Sequence, residues 1–391
     1  MADTENNKNS NSPASTSAPA LRFPGFTEPW IEKTLSELVE RVTRKNTGLQ
    51  STLPLTISAI YGLIDQKSFF NKIVAGENLT GYYLIKNGEF AYNKSSSSDY
   101  PWGAIKRLDN HSEGVLSTLY ICFSPKSSIC SDYLTKYFES NKWHNGISEI
   151  AQEGARNHGL LNVGVKDFFA TKHHIPASTS EQEKIATFFQ LIDERIATQR
   201  RLIEDLKKLR SSIAHHLFQQ NAPIIPLGEL ASVTNGNADV QDAIENYEIG
   251  LYPFFDRSEQ VKYLNKFYLD KVAIIYAGEG QNFFPRYFEG KFALHQRCYA
   301  IYNFDERVLP RYCYHYMQQL NRYFQKTAVG STVASLRMDS FLNAPIKLPS
   351  ISTQKNITNV LDSIEDLALV EQRLLYNYVH QRQYLLCKLF I

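Results

Sequence analysis

The sequence predicts an α+β fold in which two β-rich domains in tandem repeat are separated by two long antiparallel coiled-coil helices with pseudo-twofold symmetry. Three observations predict it. The amphipathic run EQEKIATFFQLIDERI at residues 181–196 returns, degraded, as TQKNITNVLDSIEDLA from Thr353. The segment PLGELASVTNGN from Pro226 resembles TLSELVERVTRKNTG from Thr34. Between the repeats lie alternating and apolar runs punctuated by Gly, Asn and Ser, the pattern of short strands and turns.

The helices come first. Steps of four and three from Ile185 pick out Ile185, Phe189, Ile192, Ile196, Gln199, Ile203, Leu206, Arg210, Ile213 and Leu217. A shift of 172 picks out Ile357, Leu361, Ile364, Ala368, Glu371, Leu375, Tyr378, Arg382, Leu385 and Leu389. Both rows keep the 3.5-residue seam of a coiled coil, and both break it with a polar residue at the same two steps. One such seam is ordinarily a core helix; two with their breaks in register indicate an internal duplication. At roughly 38 residues, each helix would be about 57 Å long. IPASTSEQ and LPSISTQ place Pro and Ser ahead of the first turns, with Ser180 and Ser352 at or near the N-caps. Pro223 and Pro226 then close the first helix, because proline cannot continue it.

The duplicated unit therefore runs from an L-x-E-L segment, at Leu35 and again at Leu227, through a variable globule to a long helix. Such an order makes the chain a virtual ring, in which Leu389 or Phe390 lies near Leu35 much as Phe218 lies near Leu227. The division is a polar tail at 1–20, disordered by composition, a first domain at 21–177, the central helix at 178–220, a second domain at 221–350 and the C-terminal helix at 351–391. The globules differ in sequence. The first holds GYYLIKNGEFAYNKSSSSDYPWGAIKRL and GVLSTLYICF; the second holds KVAIIYAGEG, KFALHQRCYAIYNF and a helical pattern, RYCYHYMQQLNRYFQK.

Composition narrows the function. At 391 residues and 43% hydrophobic, the chain can bury two ordinary cores. No apolar run approaches the roughly 20 residues of a membrane span, and MADTENNKNSNSPASTSAP has no apolar core of a secretion signal. Five cysteines without a C-x-x-C pair speak against a disulfide framework and a zinc ribbon, so a cytoplasmic setting is expected. The net charge of +2 does not by itself suggest a nucleic-acid protein. Residues 251–326, however, hold eleven Lys/Arg against seven Asp/Glu, with twenty Phe or Tyr. Such a stretch can offer phosphate contacts and aromatic faces, although most of the rings are expected in a β-sheet core.

Enzyme motifs are weak. The strings nearest to the N-P-P-aromatic turn of an adenine methyltransferase, NAPI at Asn343 and SDYPW at Asp99, lack the second proline or the right order. AGEG around Gly278 is a lone G-x-G, more often a turn than a cofactor loop. Asp270 with Glu289 and Lys291 could suggest a nuclease, but such triplets are common strand-surface charges. His173-His174 and His215-His216 lack matching ligands at metal spacing and are expected at the surface or at helix ends, so no metal is assigned.

LRFPGFTEPWIEKTLSEL, GEFAYNKSSSSDYPWGAIKRL, EGARNHGLLNVGVKDFF, GEGQNFFPRYFEGKFALHQRCYAIYNF and GSTVASLRMDSFLNAPIKLPS together resemble the DNA-specificity subunit of type I restriction-modification systems, over about residues 21–391. The resemblance implies a non-catalytic two-part reader of double-stranded DNA. Each globule would be a target-recognition domain for half of a split, asymmetric site, and the helices would space the two. Two adenine-N6 methyltransferase subunits and two motor-nuclease restriction subunits are the implied partners. S-adenosylmethionine would sit on the methyltransferase and ATP with Mg on the restriction subunit, leaving this chain without a cofactor. Asn356 and Thr358, where the central helix has Lys184 and Ala186, put the details of docking at the second repeat in doubt. The rival classes are a stand-alone enzyme that modifies or cleaves DNA and a coiled-coil scaffold that binds other proteins only.

Arginine contacts guanine, and Asn or Gln contacts adenine, through paired hydrogen bonds, so base readers are sought on loops and strand ends. In the first globule the candidates are Tyr92, Asn93, Lys94, Ser95, Lys106 and Arg107, with Arg156, Asn157 and His158. In the second they are Gln281, Asn282 and Arg286, then His295, Gln296 and Arg297, and the small-polar loop Gly330, Ser331 and Thr332. At least half of all contacts are expected to fall on phosphate.

Overall fold

The computed structural model describes residues 18–71, 76, 78–151, 159–330 and 332–391. The chain forms two compact units, one of Met1–Thr198 with Leu375–Ile391 and the other of Gln199–Leu374. The units thus divide within the long helices, Thr179–Leu217 and Ile351–Lys388, and not at their ends. The residues assigned to the tail lie outside the described residues up to position 17. No helix among the described residues is long and apolar enough to cross a membrane.

In unit 1 a four-stranded antiparallel sheet runs in the order Val39–Val42, Ile121–Pro125, Phe90–Asn93, Ala104–Arg107. Period-two alternation sorts its side chains between two cores. Phe90, Tyr92, Ile105, Ile121 and Phe123 face a core shared with the helix Ser131–Glu139 and with Ile185, Phe189, Leu389 and Phe390. Ala91, Ala104 and Cys122 face a smaller core with Val42, Leu55 and Leu116. The same rule corrects one expectation. In the strand Lys172–Ile175 the pair His173-His174 is split, His174 staying exposed while His173 is buried between the Tyr137 hydroxyl at 2.9 Å and the Thr171 hydroxyl at 2.8 Å.

In unit 2 the sheet has six strands, beginning Ser232–Asn235, Cys298–Tyr302, Leu269–Ala277, Arg286–Leu294. Tyr252–Phe255 and Lys262–Leu264 extend it, the former parallel to its neighbour. Ile274, Tyr276 and Ile301 face a core with the helix Pro310–Met317, and Ala273, Ile275 and Ala300 face the opposite side. The first four strands repeat the order, the antiparallel sense and the sequence order of the unit 1 sheet. Two globules without visible sequence similarity therefore share this four-strand topology.

The joint between globule and helix is also repeated. Buried Gln182 accepts from the Cys130 N–H at 2.8 Å and donates to the Pro176 carbonyl at 3.0 Å. Buried Gln354 does the same with the Leu309 N–H and the Pro349 carbonyl, each at 2.9 Å. Phe390 packs on Tyr133 and Tyr137, as Phe218 packs on Tyr312 and Tyr316. Leu389 and Phe390 share a core with Leu35, as Phe218 does with Leu227, and the Leu21 N–H donates to the Lys388 carbonyl at 3.0 Å. The capping serine of the C-terminal helix is Ser350, whose hydroxyl accepts from the Thr353 N–H at 3.2 Å. Ser180 and Ser352 lie inside the first turns.

Every residue named in the two seams is buried or half-buried. The polar breaks have partners. In unit 1 Arg382 pairs with Asp193 and Glu139. In unit 2 Arg210 pairs with Glu365 at 2.6 Å, which is the Asp193–Arg382 contact with the roles of the repeats exchanged. In unit 1 Asp193 meets Arg382 and Arg195 meets Tyr378, and in unit 2 Gln199 meets Glu371 and Arg210 meets Glu365, so the helices pair antiparallel within each unit.

Candidate nucleic-acid interface

In unit 2 a turn built on AGEG collects three of the sequence-selected loops. The Gly278 N–H donates to the Arg297 carbonyl at 2.8 Å, and its own carbonyl accepts from the Leu336 N–H at 2.7 Å. The Gly280 N–H donates to the Ala334 carbonyl at 3.0 Å, while Val329 and Ser335 exchange hydrogen bonds to close the turn that carries Gly330 and Thr332. Only glycine fits at 278, because a Cβ there would stand 2.5 Å from the Arg297 carbonyl oxygen. Gly236 is under the same constraint from the Leu294 and His295 carbonyls, at 2.2 and 2.3 Å. These two glycines seat the tight turn 295–298, which raises Gln296 and Arg297 into solvent, with His295 half-buried.

That turn borders a cleft of about 560 Å³ lined by Asp256, Arg257, Lys262, Glu279, His295 and Arg297, among others. Asp256 is buried and paired with Lys262 at 3.0 Å. The Arg297 Nη1 pairs with Glu279. Arg257 is exposed on the same rim. The Gln281 carbonyl and the Asn282 side chain, though exposed, accept hydrogen bonds from Gln325, which fixes this segment to the following helix.

In unit 1 the equivalent inter-strand loop, residues 94–103, is pinned in the same way. The Lys94 carbonyl accepts from the Leu161 N–H at 2.9 Å, and Ser95 bridges Leu160. The Asn93 side chain accepts from the Ser95 N–H at 3.0 Å. Ser95 is exposed, and Asn93 and Lys94 are half-buried. Arg156, Asn157 and His158, which precede the Gly159–Leu161 anchor, lie outside the described residues, as does Ser331 in unit 2.

Residues 222–375 match the family described as the type I restriction modification DNA specificity domain. This segment therefore carries a type I DNA specificity domain. A stretch of 149 residues, 38% of this chain, is 32% identical to the type I restriction enzyme EcoDI specificity subunit of Escherichia coli and covers 31% of it. The chain thus matches less than a third of that relative's length. The fold extends further. A crystal structure of a type I S subunit from M. genitalium superposes with a TM-score of 0.60 at 16% identity, covering 96% of this chain and 99% of that one. A structure from work on complex assembly and conformational transition of the type I restriction-modification system gives 0.58 at 16% identity, covering 93% and 98%. At such identity these likenesses concern the fold.

Within this fold several residues selected for DNA contact are drawn into packing or polar contacts with the chain itself. Tyr92 is fully buried, its ring stacked on Phe168 at 4.9 Å and its hydroxyl donating to the Trp102 carbonyl at 2.9 Å. Arg107 is held by Asp109 at 2.6 Å and Asp132 at 2.7 Å. Lys106 is half-buried, and burial holds its pKa below the ordinary lysine value. Arg286 is folded against the Ser258 carbonyl. Tyr92 turns inward because strand register sets which alternate side chains face the core, whereas Arg107 and Arg286 are claimed by polar groups of neighbouring elements that no local pattern shows. The sequence did not single out Glu279 and Arg257 on this rim, nor Asn235, whose amide donates to the Gln296 carbonyl at 3.4 Å. Glu279 and Asn235 could have been found beside the glycines that seat the turn, in AGEG and TNGN.

Two other groupings have ordinary partners. Asp270, Glu289 and Lys291 are exposed along one strand ladder, with the lysine over the Phe267 ring at 4.8 Å. His315, Asp362 and Glu365 have the donor atoms of a metal site. Their two carboxylates are, however, already matched by Arg210 on Glu365 and by Arg311, which reaches Asp362 at 2.7 Å and Glu365 at 2.8 Å. A divalent cation would meet two guanidiniums there, so the cluster fits an ion-paired joint.

Proposed function

We propose that this chain is the non-catalytic reader of a bipartite, asymmetric double-stranded DNA site, one half for each unit. In this reading it positions adenine-N6 methyltransferase subunits, with restriction subunits added for cleavage. The single observation that carries it is the pairing of equal topology with unequal side chains. The turn leading into Cys298–Tyr302 presents His295, Gln296 and Arg297, whereas the turn leading into the equivalent strand Ile121–Pro125 presents Thr118, Leu119 and Tyr120. One scaffold with different side chains at equivalent loops suits the recognition of two unlike sequences, since the loops and not the sheet meet the base edges.

The test is to express the chain with its cognate methyltransferase and map methylated adenines by long-read sequencing. The expected result is one split sequence with two unlike halves. A continuous site would overturn the two-part reading. Methyl transfer from labelled S-adenosylmethionine to DNA by the purified chain alone would favour the stand-alone enzyme.

A further inference from the structure

We infer that Glu279 is a positioning residue that sets the edge of Arg297 for one guanine in the half-site of unit 2, an inference that rests on the DNA-reading role proposed above. The Glu279 carboxylate takes the Arg297 Nη1, and the Nε–Nη2 edge has no partner among the described residues. That open edge is two parallel N–H donors, the shape that meets the O6 and N7 acceptors of guanine in the major groove. The acid also argues against a phosphate as the arginine's target. A guanidinium beside a carboxylate is a neutral pair, which forfeits its attraction for a phosphate but loses little toward the uncharged base edge.

Both partners are set by backbone. Glu279 sits in the glycine turn, bridged to Ser335, and the Arg297 carbonyl is bound by Gly278. The Glu279 side chain is 17% exposed against 63% for Arg297, so the anchor is sheltered and the reading edge is not.

The experiment uses the full chain with its methyltransferase and duplexes carrying the mapped target, with each base pair of the unit 2 half substituted in turn. Arg297→Ala should lose roughly tenfold or more of the discrimination at one G·C pair. Glu279→Gln should lose about tenfold at the same pair, and the salt slope of binding should not fall, because the variant removes no cation. The double variant should be no worse than Arg297→Ala alone, because the acid acts through the arginine. Arg297→Lys, which keeps the charge but not the paired donors, should lose the guanine preference as well and guards against a folding artefact. Equal weakening on all duplexes, a salt slope lower by about one, or additive losses in the double variant would overturn the inference while leaving DNA reading intact. Absence of any sequence preference in the wild-type complex would instead overturn the DNA-reading role, and this inference with it.

Discussion

Gln199 and Glu371 are each other's repeat mates and also each other's partners: the Gln199 amide donates to the Glu371 main-chain carbonyl at 3.1 Å across 172 residues, and to its carboxylate as well. A position can meet its own copy only where two antiparallel copies cross, so this contact marks the midpoint of the helix pair. It also explains why both seams break at this step. A polar contact inside an apolar seam costs stability but penalises every shifted register.

Glu371→Ala should leave the buried Gln199 amide short of a partner and cost about 1–2 kcal/mol, a fall of a few degrees in melting temperature. Replacing both residues with leucine should instead raise the melting temperature. Differential scanning calorimetry of the three proteins decides between them.

Arg382→Ala strips Asp193 and Glu139 of their shared guanidinium, leaving Asp193 only Lys136 at 2.6 Å. Burial works against the charged Asp193, but hydrogen bonds from Arg382 and Lys136 outweigh it and hold the carboxyl below its ordinary 3.8. A depressed carboxyl contributes stability that is present above its unfolded value and lost as pH falls through the folded one. Wild-type and Arg382→Ala melting temperatures should therefore differ at pH 7 and converge well below pH 4, as followed by circular dichroism.

Burial, with the neighbouring His174 charge, pushes His173 down to about 4 from an ordinary 6.5. Below pH 6.5 the unfolded chain takes a proton that the folded chain refuses, so stability is full above 6.5 and drains until about pH 4. That is on the order of 3 kcal/mol. Burial likewise lowers His315, with Glu365 and Asp362 opposing, and adds to the slope in unit 2. His173→Gln should flatten the unit 1 transition between pH 6.5 and 4.5; an unchanged slope would place the sensitivity elsewhere.

Under the proposed reading, two arginines separate base contact from folding. Arg297→Ala should relax one half-site with a melting temperature within about a degree of wild type, because the side chain is largely exposed. Arg107→Ala should lower the melting temperature, since the arginine bonds Asp109, Asp132 and the Ser131 hydroxyl, and should leave the sequence preference as it was. Methylation mapping alongside thermal melts checks both.

What the sequence determined by itself was whatever repeats at short range. The seams from Ile185 and Ile357, the proline stops and the L-x-E-L segments at Leu35 and Leu227 follow from local periodicity and backbone chemistry, which each stretch carries on its own. The tertiary structure alone decided which polar groups meet. Arg382 finds Glu139 across 243 residues and Arg22 finds Glu181 across 159, and no local pattern encodes such distances. It also decided that Tyr92 goes inward, through strand register against the sheet, while Arg297 stays out on the turn that Gly236 and Gly278 seat. The shared topology of the two globules was hidden for the same reason. A sheet needs only apolar side chains of fitting volume at alternate positions, so two sequences can satisfy it without resembling each other.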